Sequence, residues 1–259
     1  MLLKAILKIF ISCILVQLLM HRSVANAQTI PMANQWTIGL NAGFVSFFGD
    51  LSIHDFNPER KLTRESDFGY GITIEKGINR TLSLYLSGIS GKMRGSNPGQ
   101  DMKFNNRFSE FGMGSQISVS QLFWPGTPSR FNFLITTGLG IIANRTVVYR
   151  ISNGEFVLAV GYTSEQEKSG KANNAVVFPI GMALNMSITR QITARVETAL
   201  RLISNDLLDA QIGSTGINDR YSYAAISLLY TIKPAKSSDS GVYGCPANHT
   251  IMRSPKKRR

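Results

Sequence analysis

Five charged side chains share an unusual setting in this chain: Glu75, Glu110, Arg195, Glu197 and Arg201 each fall on the small, polar face of an alternating segment. Successive side chains of an extended strand point to opposite sides, so these five share a side with Gly, Ser, Thr and Asn. The large apolar residues lie on the other side. Carboxylates and guanidinium groups gathered in a narrow space can line a gated polar path, or they can pair and fill that space as salt bridges. The interior of a closed sheet of eight strands is just filled by side chains, which favours the second chemistry. Other raw material for catalysis is scarce. Beyond the amino-terminal leader the histidines are His54 and His249, so base-assisted hydrolysis or acyl transfer lacks its usual proton carrier. The expectation is no enzyme, no catalytic residue and no cofactor. His54 with Asp50 and Asp55, and Asp206 with Asp209 and Asp219, match no defined metal-binding loop and read as solvated side chains; no metal ligand is expected. Residues 88–92 lack the spacing of a phosphate-binding loop.

The segments that position these charges repeat one pattern eight times. In 36–48, Trp36, Ile38, Leu40, Ala42, Phe44 and Phe48 oppose Thr37, Gly39, Asn41 and Gly43. The same period of two recurs in 68–76, from Thr81 through Ser87, in the stretch closing with Phe111, Met113, Ile117 and Val119, and from Phe131 to Ala143. It returns at 178–187 and 224–232. Residues 192–202 are ambiguous: Ile192, Ala194, Val196, Leu200 and Leu202 alternate, yet Ile192, Val196, Ala199, Leu200 and Ile203 also form a helix face, and Glu197 to Arg201 is a favourable i,i+4 pair. An even strand count requires a strand there.

Connections alternate in length. Residues 77–80, 125–130 and 189–191 are tight turns, whereas 49–67, 91–103, 144–176 and 203–220 are long, polar and charged. Short turns at one end and long loops at the other are the arrangement of an outer-membrane barrel, with both termini on the periplasmic side. A soluble lipocalin-like barrel is the main rival, but its apolar face would point inward. The apolar faces here carry no Lys, Arg, Asp or Glu at strand centres, so an apolar outer wall and a polar lumen is the economical register. Aromatics near strand ends agree: Trp36, Trp124, Phe131 and Tyr230 at one rim, Phe48, Phe68, Tyr149 and Phe178 at the other.

The chain ends differ from this middle. Lys4 and Lys8 precede an apolar run over 9–20, and Val24-Ala25-Asn26-Ala27 supplies small residues for cleavage before Gln28. That run is shorter than the ~20 residues of a spanning helix. Residues 1–27 read as a signal peptide, 28–232 as the barrel and 233–259 as a basic, disordered periplasmic tail. The net charge of +12 lies largely at the ends: three basic groups and no acid in 1–27, seven basic and one acidic in 233–259, and 18 basic against 15 acidic between them. A nucleic-acid partner is therefore not indicated. Cys245 is the only cysteine left after cleavage, which excludes an internal disulfide.

Several pieces resemble a family of outer-membrane β-barrel proteins from Bacteroidota-type bacteria, Gram-negative organisms, with an architecture similar to the OmpA-type eight-stranded barrel. They are Phe47-Phe48-Gly49-Asp50-Leu51, Gly91-Lys92-Met93-Arg94-Gly95-Ser96, Leu122-Phe123-Trp124, Asn205-Asp206-Leu207-Leu208-Asp209 and Asp219-Arg220-Tyr221-Ser222-Tyr223. The likeness spans roughly 36–232. It implies an all-β, up-and-down antiparallel transmembrane barrel in the outer membrane and transfers no catalytic residue. The expectation is a monomer in contact with outer-membrane lipid, with a structural or surface-interaction role and long loops as contact surface. Any surface or cell-wall partner is unspecified. The alternative is a small, porin-like channel or transporter for ions or small solutes.

Overall fold

The computed structural model describes residues 33–49, 51–53, 58–125, 129–162, 170–205, 207–210 and 219–232. The proposed signal peptide, the basic tail, Asp50, His54, Asp55, Asp206, Cys245 and His249 lie outside these residues. The described residues form nine strands: β1 (Trp36–Phe48), β2 (Ser66–Gly77), β3 (Leu82–Asn97), β4 (Met102–Ser118), β5 (Phe131–Arg150), β6 (Phe156–Val160), β7 (Asn173–Ser187), β8 (Ile192–Ile203) and β9 (Arg220–Thr231). Eight of them close a ring in which each pairs antiparallel with its neighbours, β4 joins β5, β5 joins β7, and β9 returns to β1. The fold is a closed eight-stranded antiparallel β-barrel, as the alternation and connection lengths predict. The short β6 hangs on the far end of β5 as an added hairpin arm.

Residues 192–203 are a strand. Their apolar set faces outward, and Arg195 and Arg201 point into the barrel and are buried. The outer wall carries a belt of exposed apolar side chains on every barrel strand, among them Leu40, Ile72, Leu86, Phe111, Leu139, Ile180, Val196 and Ile226. Among the described residues no helix is long and apolar enough to cross a membrane.

Three expectations are corrected. Residues 91–103 are not a long loop: β3 runs to Asn97, β4 starts at Met102, and only 98–101 turn the chain. Alternation continues through 91–97, with Met93 and Gly95 inside and Lys92 and Arg94 outside; outward polarity concealed it. Residues 144–176 likewise hold the rest of β5, β6 and the start of β7. Val119 and the segment after it do not end a strand but form a helical turn, α2 (Val119–Phe123), capped by Ser118, whose hydroxyl accepts from the Gln121 amide at 3.2 Å. A further short helix, α1 (Pro58–Arg64), sits in the first loop.

The interior also departs from a uniformly polar lumen. In the half away from the termini the inward residues are a packed apolar cluster of Val45, Phe47, Ile89, Met93, Phe104, Phe108, Ile142, Val177 and Ile203. Leu51 and Leu208 join it from the loops. Such a core excludes water in the way a soluble protein's does.

Candidate functional site

The charged lumen lies below that apolar cluster, on the side nearer the chain termini, and is assembled from four walls. Glu75 on β2 receives a two-armed ion pair from Arg195 on β8: Nη2 donates to Oε2 at 3.0 Å and Nη1 donates to Oε1. Fork-to-carboxylate pairing of this kind fixes both distance and angle. Gln116 on β4 donates to Glu75 Oε1 at 2.9 Å, and Asn185 on β7 accepts from Arg195 Nε at 2.7 Å. Asn185 stands directly across from Arg195 in the β7–β8 ladder. The turn between these strands therefore places the acceptor beside the guanidinium.

A second cluster lies one layer further from the termini. Arg201 on β8 donates from Nε to Glu110 Oε1 on β4 at 3.1 Å, and the Tyr221 hydroxyl on β9 donates to the other Glu110 oxygen. The Arg201 guanidinium lies over the rings of Tyr221 and Tyr223, 5.6 and 5.1 Å from their centroids. Tyr223 in turn donates to Asn41 Oδ1 at 2.8 Å, and Asn41 donates to Thr73 Oγ1 at 3.2 Å. Glu197 is the least enclosed of the five. Arg195 Nη1 is 3.9 Å from Glu197 Oε2, and Ser227 donates to its Oε1 at 3.4 Å. Tyr85 lies between these clusters, its ring against the backbone of Gly114 and its hydroxyl against Gly138. A Cβ at Gly114 would come within 2.2 Å of Thr137 oxygen and 2.7 Å of the ring.

All five sequence-predicted residues thus meet in one lumen, joining β2 to β8 and β4 to β8 across the barrel. Sequence reasoning missed Gln116, Asn185, Tyr221, Tyr223 and Asn41, which complete the network. Asn185 was findable from hairpin register, and Tyr221 from its inward parity on β9. Two small cavities lie among the described lumen residues: one of about 50 Å³ beside Tyr85, Glu110 and Arg201, and one of about 60 Å³ opening toward the termini between Gln35, Arg80 and Arg190. Each has room for only a few waters.

At the far end, segment 207–210 is tied to the inner wall and forms a partial lid. The Leu208 carbonyl accepts from Asn106 Nδ2 and Thr146 Oγ1, both at 2.7 Å, and the Leu207 carbonyl accepts from Asn144 Nδ2 at 3.2 Å. Asp219 accepts from the Leu208 amide at 2.9 Å. These bonds draw segment 207–210 inward and seat Leu208 in the apolar cluster. Among the described residues no three His, Cys, Asp or Glu side chains are grouped to hold a metal.

No family model and no curated protein matches the chain. Similar solved structures include Neisserial surface protein A, at 11% identity and a TM-score of 0.45, covering 75% of this chain and 96% of that one. The Yersinia pestis attachment invasion locus protein Ail, crystallised with the heparin analogue sucrose octasulfate, is 8% identical with a TM-score of 0.44, covering 77% and 99%. The Pseudomonas aeruginosa outer membrane protein OprG is 11% identical with a TM-score of 0.39, covering 78% and 98%.

Proposed function

We propose that this chain is a non-enzymatic outer-membrane β-barrel that does not conduct, with a structural or surface-interaction role played by the connections at the end away from its termini. The observation that carries the reading is the pairing of an apolar outer wall with an interior filled in two layers. Exposed Leu, Ile, Phe and Val around the whole circumference suit hydrocarbon rather than water, and a closed ring satisfies every strand edge, as a bilayer requires. Inside, ion pairs occupy the middle and Leu208 packs in the apolar cluster beyond them, which supports a non-conducting barrel over the alternative of a small channel or transporter. The reading places both termini in the periplasm and the extended β3–β4 and β5–β6 hairpins at the cell surface. Fractionation tests the location: the protein should co-sediment with outer membranes and migrate faster on a gel unheated than boiled. Recovery as a soluble periplasmic protein would overturn it.

A further inference from the structure

The outer wall carries a cationic row that the lumen network does not use. In the β3–β4 ladder Lys92 stands opposite Arg107, and in the β4–β5 ladder Arg107 stands opposite Arg145. All three are on the outward parity, alternating with the buried Met93, Phe108 and Asn144. Like charges directly across a ladder repel, yet among the described residues no carboxylate pairs with any of them. Arg145 donates only from Nη2, to the Gly170 carbonyl at 3.4 Å, and its Nε is buried without a partner. Arg94 and Lys103 extend the positive surface beyond the row.

Height along the wall decides what meets this row. Ile117 and Arg107 are ten residues apart on β4, about 33 Å of strand at ~3.3 Å per residue. A strand tilted by about 40° converts that into roughly 25 Å of height, the thickness of an outer-membrane apolar band. With Ile117 at the lower edge of the belt, Arg107 is at the upper edge. On the membrane-spanning reading, exposed Lys92 and Arg107 face sideways into the headgroup layer, and half-buried Arg145 lies beside them against Gly161 and Gly170.

We propose that Lys92, Arg107 and Arg145 bind the phosphate groups of a glycolipid in the outer leaflet. This rests on the membrane-spanning reading and on the orientation that puts this end outside. Adjacent strands are about 4.8 Å apart, so three long cationic side chains reach one phosphate or two neighbouring ones, and each guanidinium can take phosphate oxygens two at a time. The bound anion supplies the counter-charge that the ladder lacks.

The test uses the full mature chain in nanodiscs of zwitterionic phospholipid doped with a diphosphorylated lipid A-type glycolipid, or with the same glycolipid after phosphate removal. Native mass spectrometry counts retained glycolipid, and gel mobility with and without heating reports folding. The phosphorylated form should be retained at least tenfold better than the dephosphorylated one, and K92S/R107S/R145S should lose that preference while keeping the mobility shift. Should the triple variant fail to fold, the single variants decide: R107S should lower retention several-fold and R107K should restore most of it. Equal retention of the two glycolipids by folded wild type, or unchanged retention in the charge-removed variants, would overturn the proposal and leave the membrane-spanning reading standing. A sulfated polysaccharide bound through the same three residues, with no glycolipid preference, would overturn it in favour of a soluble polyanion. Failure of the wild type to insert into any bilayer would overturn both.

Discussion

Arg195 is held by Glu75 from β2 and Asn185 from β7, with Gln116 of β4 completing the Glu75 side. Both members of the pair are almost fully enclosed, at 2% and 5% side-chain exposure. Removing one partner strands the other, which typically costs about 3–5 kcal/mol, whereas replacing both by apolar groups of similar size is far less harmful. Arg195→Met should therefore destabilise the folded barrel by roughly that amount, and the double variant E75L/R195M should recover most of the loss. Urea unfolding in detergent micelles measures both; a double-variant loss equal to the sum of the two single-variant losses would show that the two residues are not coupled. Asp101, in the β3–β4 turn outside the wall, offers a pH test. The Ser152 hydroxyl donates to Asp101 Oδ2 at 2.6 Å and the Ser152 amide donates to Oδ1 at 2.9 Å. The hydroxyl bond, aided by the amide, holds the carboxyl below the ordinary carboxylate range. A depressed folded value means that the contact contributes above the unfolded value of about 3.9 and is lost as pH falls through the folded one. The carboxyl carbon of Asp101 should thus titrate with a midpoint below that of an unfolded peptide, and Asp101→Asn should abolish the pH dependence of the Ser152 amide shift. A midpoint at or above the peptide value would contradict the contact.

At the scale of elements, β8 is the informative strand because its pattern reads as helix or strand. Val196 is 60% exposed on the outer wall, between Leu184 of β7 and Ile226 of β9. Thr193, three residues earlier, lines the opening of the lumen toward the termini. Val196→Arg should impair assembly, at about 2–4 kcal/mol for a cation at mid-depth, and Thr193→Arg should be tolerated better. Folding yield in liposomes, scored by gel mobility, separates them; equal effects would mean the register is wrong. The strand was legible because ring closure forced an even count. Other elements were not, for specific reasons. Lys92, Arg94, Lys103 and Arg107 make an outward face that is polar instead of apolar, so regular alternation over 91–107 reads as loop. Ile142, Val147 and Val148 put apolar residues on both faces of β5, one set inside and Val147 outside yet buried, which erases the contrast that marks a strand. Around α2 the sequence Ser118-Val119-Ser120-Gln121 carries a helix-capping signal, but the alternation of β4 runs straight into it.

For the molecule as a whole, the described interior is filled in two layers, paired charges in the middle and an apolar cluster joined by Leu208 beyond them, and the two layers have different physical origins. The five lumen charges were readable by parity. Their pairing depended on ring geometry: Glu110 and Arg201 are on strands that no local pattern brings together. The lid was unreadable, because Leu207-Leu208 within a polar connection gives no sign that its carbonyls will be captured by Asn106, Asn144 and Thr146. Two filled layers in series make a sharp statement about conduction. The wild type in a planar bilayer should show no steady current. Arg201→Ala with Glu110→Ala removes the upper charge cluster but leaves Leu208 seated in the apolar cluster, so current should remain absent. Leu208→Ser with Asn106→Ala loosens the lid but leaves Arg195, Glu75 and Gln116 spanning the middle, and it too should stay silent. Combining the lid changes with removal of Arg195, Glu75, Arg201 and Glu110 should give discrete single-channel steps, provided that gel mobility shows the barrel still folds. Steps in the unmodified protein, surviving controls for contaminating porins, would restore the channel reading. Steps on opening the lid alone would show that the ion pairs leave a conducting path around them, and would reassign the seal of the barrel from its middle to its mouth.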